Sequence, residues 1–394
     1  MVKPDDLAAL ADAMTAWRRD LHAHPELGFE ETRTAAFVAA TLRDAGIEVT
    51  EGIATTGVVG SLTGTARASN RAIGLRADMD ALAMQEATGL AYASTHPGRM
   101  HACGHDGHTA MLLGAAVWLA RHRDRFAGTL RFIFQPAEES RGGADAMLAD
   151  GLFGRLPVDA VYGLHNLPGL PLGTVAAPRD KVLASSDTWG VVFRGRGTHG
   201  AKPHLGTDAV LAAAAFIQAI QAIVSRETDP LEPAVVSIGA IAAGDPAAPN
   251  VIPAEVRITG TARAFSATVR DRLEARLAAI AHGIATTHGV AAEPFYTRRL
   301  SPTRNHAEHA ARMVAAAAAT LGAANARDDH PPITAGEDFS SFLGVVPGAY
   351  AWLGTGEPSH PEGVHHNPRF DFNDAALVPG AAFWCGLALQ ELAP

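Results

Sequence analysis

The sequence is short of several things, and each shortage argues against a class of protein. Only two cysteines, Cys103 and Cys385, occur in 394 residues, so no disulfide framework can be built. Basic residues number 32 against 41 acids, a formal charge of −9, and no Lys/Arg-rich run interrupts the chain. That argues against nucleic acid as a partner. Charged residues make up only 19% while hydrophobic ones reach 47%, the balance of a globular chain. No apolar run reaches the roughly 18–20 residues that span a bilayer. The nearest, residues 209–224, is shorter and carries two glutamines. The N-terminal "MVKPDDLAALADAMTAWRRDLH" reads as a charged amphipathic helix without the apolar core of a signal peptide. The expectation is a cytoplasmic protein with no membrane partner.

What is present is length and alternation. A chain of 394 residues exceeds one ordinary core, so two domains are expected. Up to about residue 180, strand and helix patterns alternate. "RAIGLRADMD" (71–80) and "GTLRFIFQPAEE" (128–139) each begin as an apolar strand and end in acids. "VDAVYGLHNLPG" (158–169) is a strand ending at His165, and residues 108–123 have helical spacing. This predicts an α/β fold with a mixed, mainly parallel sheet flanked by helices. Polar groups at the carboxyl ends of such strands mark a ligand crevice. Residues 183–296 read in the order βαββαβ, a ferredoxin-like α+β arrangement inserted into the first domain. Residues 297–394 return to mixed α/β and are expected to complete the catalytic domain begun by 1–182.

The densest polar stretch is "MHACGHDGH" (100–108). Cys103 and His105 are good ligands for zinc and similar metals. Glu138 and Glu139, His165 and His366 supply further donors. Of two adjacent glutamates, one can bind metal. The other can accept a proton from a water whose pKa the metal lowers, then pass it to a leaving nitrogen. His101 and His108 read as scaffold. His365 and His366 are adjacent, so in extended chain at most one faces the site. Cys385, within "AAFWCGLALQ", reads as core. A competing thiol hydrolase with Cys103 as nucleophile leaves the glutamate pair and His366 without a role.

Several motifs occur in a familiar order: "RADMDAL" (76–82), "MHACGHDGHTAMLLGAA" (100–116), "FQPAEE" (134–139), "GLHN" (163–166), "PHLGTDAV" (203–210), "NVIP" (250–253), "GTAR" (260–263), "AGEDFS" (335–340) and "HHNPRFDFND" (365–374). Together they resemble the dinuclear metal-dependent amidohydrolases typified by hippurate hydrolase, N-acyl-amino-acid amidohydrolases and auxin-conjugate hydrolases. The resemblance covers nearly the whole chain. It implies two divalent metals, Zn, Mn, Co or Ni, held by Cys103, His105, Glu139, His165 and His366. It implies Glu138 as the base and Asp80 as an acid orienting a ligand. It places His199, Asn250 and Arg263 of the inserted domain against an N-acyl amino acid substrate. It further implies a homodimer or homotetramer through that domain. The expected reaction is hydrolysis of the amide bond of N-acyl or N-aroyl amino acids. A dipeptidase, carboxypeptidase or deacetylase with the same site is the alternative, and a non-catalytic binding protein a remoter one. "PRDKVLA" (178–184), Lys202 and the short 354–364 loop depart from the family pattern, which bears on acyl-group preference.

Overall fold

The structure, a computed structural model, describes residues 2–139 and 142–394. It contains two compact units. The first comprises Met1–Val182, Arg304–Pro331 and Asp338–Pro394, and the second Leu183–Thr303 with Pro332–Glu337. The boundary expected at residue 296 falls inside a strand that runs from Ala291 to Leu300. Residues 297–303 therefore go with the second unit, as do 332–337.

The first unit is built on an eight-stranded mixed sheet. Its strands are β1 (Glu48–Ile53), β2 (Gly57–Thr63), β3 (Ala72–Asp78), β4 (Thr129–Gln135), β5 (Ala160–Leu167) and β6 (Val175–Ala176), and, after the second unit, β11 (Ala326–Arg327) and β12 (Gly348–Gly354). The spatial order is β1-β2-β4-β3-β5-β12-β6-β11. The central run β4-β3-β5-β12 is parallel throughout, while β1, β2 and the β12–β6 pair are antiparallel. β3 and β12 are buried at every position. Their near-continuous apolar character is that of parallel strands covered on both faces. The β1–β2 hairpin was not anticipated from the sequence pattern. Helices α1 (Ala11–Ala23), α2 (Thr32–Asp44), α3 (His105–Ala120), α4 (Gly143–Ala149), α7 (Ala307–Leu321) and α8 (Leu377–Glu391) belong to this unit. Residues His105–Leu119 of α3 are all buried, so the helix is apolar nearly all round. Cys385 lies in the same core, as expected.

The second unit has the order β7 (Ser186–Arg194), α5 (Ala209–Ala219), β8 (Ala234–Ala243), β9 (Glu255–Ala264), α6 (Ala267–His288) and β10 (Ala291–Leu300). Its antiparallel sheet runs β8-β9-β7-β10. Asp208 caps α5 by accepting from the amides of Val210 and Leu211, and Ser266 caps α6 at Val269. α5 continues into a π-helical stretch, so Ala209–Glu227 reaches 19 residues and is long and apolar enough to cross a membrane by length and composition. This exceeds the run read from sequence, because the helix continues past Val224 through Ser225, Arg226 and Glu227. Its Ala212, Phe216, Ile220 and Ile223 pack into the core of this unit with Trp189 and Leu273.

Candidate active site

The parallel strands of the first unit deliver polar groups where they end. Asp78 closes β3 and Asp80 follows it. Glu138 and Glu139 follow β4, and His165 and Asn166 lie near the end of β5. Cys103 and His105 arrive from the loop that opens α3. Gly104, at φ +99°, precedes that helix; a Cβ there would come 2.4 Å from Asn166 Oδ1. Only glycine fits so left-handed and so close an approach.

Donor atoms of Cys103, His105 and Glu139 lie within 4.8 Å of one another. Cys103 Sγ is 3.4 Å from His165 Nε2. Glu139 Oε1 is 3.8 Å from His105 Nε2 and 3.3 Å from His366 Nε2. The five expected ligands thus form one contiguous cluster. His366 is held there by its backbone N–H, which donates to the Ala102 carbonyl at 2.8 Å. Its side chain is 53% exposed against 8% for Glu139, so it stands at the open side.

The tautomers are arranged for coordination. His105 Nδ1 donates to the Asp80 carbonyl at 2.9 Å and faces Asp80 Oδ1 at 3.2 Å. His165 Nδ1 donates to the Asn166 carbonyl at 2.8 Å. Both rings are thereby left with Nε2 toward the cluster, the usual orientation of a metal-bound histidine. His105 Nε2 is buried without a hydrogen-bond partner, and Glu139 Oε1, also buried, has only the 3.3 Å contact with His366. Buried polar atoms rarely go unpaired, and a cation between them satisfies both. The donor set of thiol, imidazoles and carboxylate fits a transition metal.

The charges agree. Burial pulls His105 down, but the Asp78 charge and the Asp80 hydrogen bond lift it to about 10. Burial, then Glu139, Glu138 and Asp78, push the Cys103 thiol well above its ordinary range. Burial and the neighbouring His108 hold His165 well below its own. Burial would raise Glu139, but the His366 hydrogen bond and the His105 charge bring it below the usual carboxylate value. The carboxylates around Cys103 and His105 thus make the site attractive to a cation. A nucleophilic cysteine needs the opposite, a pKa lowered by a positive neighbour.

Some contacts were missed by sequence reasoning. Asp78, buried, takes a hydrogen bond from His108 Nδ1 at 2.6 Å, pairs with Arg76 at 2.7 Å, and lies 3.5 Å from His105 Nε2. The acid doublet in "RADMD" was its signal, but only Asp80 was singled out. His108, expected as scaffold, sets its Nε2 2.7 Å from Asn166 Oδ1 and also joins Asp78, His105 and His165 in a second buried group of possible donors. His365 does not follow the expectation that only one of the adjacent pair faces the site. Its Nε2 is 3.0 Å from Asn166 Nδ2 and its ring is 5.1 Å from that of His165. The reason is backbone: His366 has φ +60°, which breaks the alternation of an extended chain. Glu138 Oε1 accepts from the Asp338 amide at 3.4 Å.

The three expected substrate residues lie in the second unit. His199 pairs with Val251 in a two-stranded ladder, and Gly200 N–H donates to the Asn250 carbonyl at 2.6 Å, so His199 and Asn250 sit together. Both are exposed. Arg263, on β9, is half-buried and donates to Ser186 Oγ. Burial lowers its pKa.

The model of peptidase family M20/M25/M40 matches residues 74–390. The chain belongs to this family. The M20 enzyme is 41% identical over 375 residues to the hippurate hydrolase of Campylobacter jejuni, covering 95% of each chain. It is 39% identical to the N-acetyl-L-cysteine deacetylase of Bacillus subtilis over 384 residues, 96% of this chain and 88% of that one. A solved Bacillus subtilis structure described as a dinuclear metal binding peptidase of the M20 family superposes with TM-score 0.85 at 34% identity, covering 98% of this chain and 99% of that one. This M20 protein is a metal-dependent amidohydrolase.

Proposed function

We propose that this M20 enzyme hydrolyses the amide bond of N-acyl or N-aroyl amino acids, releasing a carboxylic acid and an amino acid. The observation that carries the reading is the division of labour in one glutamate pair. Glu139 is held within the donor cluster, while Glu138 beside it bonds to the Asp338 amide. Two divalent metals, Zn, Mn, Co or Ni, held by Cys103, His105, Glu139, His165 and His366, would polarise the scissile carbonyl and lower the pKa of the attacking water. Glu138 then accepts the water's proton and returns it to the departing amine. Asp80 fixes the His105 ring. Arg263 would take the substrate carboxylate through its guanidinium fork, with Asn250 as a further substrate contact and His199 stabilising the oxyanion. The N-acetyl-L-cysteine deacetylase named above favours a second reading, deacetylation by the same site; dipeptidase or carboxypeptidase action would use the same machinery.

Exposed Leu211 on α5 and Ile241 on β8, an edge strand, support a homodimer or homotetramer through the second unit. A cytoplasmic location completes the proposal. Glu138→Gln is expected to abolish turnover of hippurate and N-acetyl amino acids while metal content stays at the wild-type value. Turnover near the wild-type rate would refute the assignment.

A further inference from the structure

The segment that carries Glu138 is held from behind by a carboxylate that the reaction does not use. Glu31 opens α2, is fully buried, and accepts the Ala137 N–H through Oε1 at 2.8 Å. Its Oε2 accepts the Thr56 hydroxyl at 2.6 Å. Two residues further on, the Glu139 N–H donates to Asp80 Oδ2 at 2.9 Å. The backbone amides on either side of Glu138 are therefore each taken by a separate buried carboxylate.

The held conformation is one the chain would not adopt unaided. Ala137 has φ +55°, the left-handed region, which is strained for a non-glycine residue and persists only where its surroundings determine it. Its carbonyl accepts from the Gly143 amide at 3.0 Å. A Cβ on Gly143 would stand 1.6 Å from the Pro136 carbonyl oxygen, so the turn is also closed tightly from that side. The segment bearing Glu31 is tied to the one bearing Asp80, because Ala81 N–H donates to the Glu26 carbonyl at 2.8 Å and Leu27 bridges Ala81. Glu26 in turn accepts the amides of Arg33 and Thr34 at the start of α2. Glu31 thus reaches Ala137 from a rigid base.

We infer that Glu31 is a positioning residue for the reaction: through the Ala137 amide it fixes the left-handed turn that aims the Glu138 carboxylate. This rests on the proposed role of Glu138 as proton acceptor. A misplacement of about 1 Å can cost a hundredfold in rate. Glutamate suits the task because both donors point at it and a carboxylate accepts both. Glutamine keeps an acceptor for Ala137, and its amide can donate to the Thr56 oxygen.

The test compares Glu31→Ala, Glu31→Gln and Glu138→Gln in metal-loaded enzyme on hippurate, with metal content and thermal unfolding measured on the same samples. Glu31→Ala should lower kcat about 10–100-fold, with KM within about twofold and metal content at the wild-type value. Glu31→Gln should recover most of that loss. If folded, metal-loaded Glu31→Ala keeps the wild-type kcat, or loses its metal, or if Glu31→Gln is equally impaired, the inference is overturned. If Glu138→Gln itself keeps turnover, the underlying reading fails instead. Should Glu31→Ala not fold, Thr56→Val, which removes only the donor steadying the carboxylate, should lower kcat severalfold; an unchanged kcat there also overturns the inference.

Discussion

Asp80 and His105 meet twice: the imidazole Nδ1 lies 2.9 Å from the Asp80 carbonyl oxygen and 3.2 Å from its Oδ1. Oδ2 of the same carboxylate accepts the Glu139 amide. One side chain therefore orients two donors of the cluster.

Replacing Asp80 by alanine should accordingly weaken metal binding by about 10–100-fold, the usual cost of losing such a support. Titration of metal-free protein by calorimetry reads the change. An affinity equal to wild type would show that the backbone carbonyl alone suffices.

Metal removal separates the metal reading from the thiol one. Exhaustive chelation should abolish hydrolysis, and re-added metal should restore it. At metal one hundredfold above Kd, stability should rise by about 2.7 kcal/mol per site over the metal-free form, seen as a higher Tm. Thiol reagents should modify Cys103 more slowly in the loaded protein. Activity that survives chelation would instead favour Cys103 as nucleophile.

A third prediction concerns the frame behind the site. Arg18 and Asp106 are both wholly buried and 2.9 Å apart. His22 Nδ1 lies 2.8 Å from the same Asp106 oxygen. Arg18 also reaches Asp371, which takes the Tyr92 hydroxyl at 3.0 Å. Asp106 follows His105 directly in α3, so this network anchors the helix that carries the ligand. Arg18→Ala leaves buried Asp106 with His22 as its remaining charged partner and should destabilise by about 3 kcal/mol, measured by denaturant unfolding. A loss under 1 kcal/mol would contradict it.

Glu31 gives a pH dependence with a definite sign. Burial lifts its carboxyl from the ordinary 4.5 to about 7, against the hydrogen bonds from Thr56 and Ala137. Between those values the native chain keeps a proton that the unfolded chain releases. The stability contributed is complete below pH 4.5 and disappears as the pH rises through 7. Across that window the Tm of wild type should fall relative to that of Glu31→Gln. A difference in Tm that stays constant with pH would exclude the shift.

Strand ends and their acids were legible because the apolar runs of β3, β4 and β5 stop at polar residues. The βαββαβ order of the second unit was legible for the same reason, since each element carries its own periodicity and caps. What escaped was tertiary. Nothing local in "HPELGFEE" shows that Glu31 reaches Ala137, more than a hundred positions away. His365 was misjudged because the positive φ of His366 is a property of the packed loop. The end of β10 was misplaced because "TRRL" is polar, and a half-exposed strand carries little apolar signal.

The place of β12 in the sheet sets an order of assembly. It lies between β5 and β6, yet follows both in sequence by more than 170 residues, with the second unit made in between. During synthesis the second unit, whose strands are neighbours in sequence, can complete its core while the larger sheet still lacks a central strand. The larger unit must keep its edges from mispairing until residue 354 has emerged, and His366 comes later still. Its slow step should therefore be the closing of long loops, and the donor cluster cannot be complete before His366 has been made.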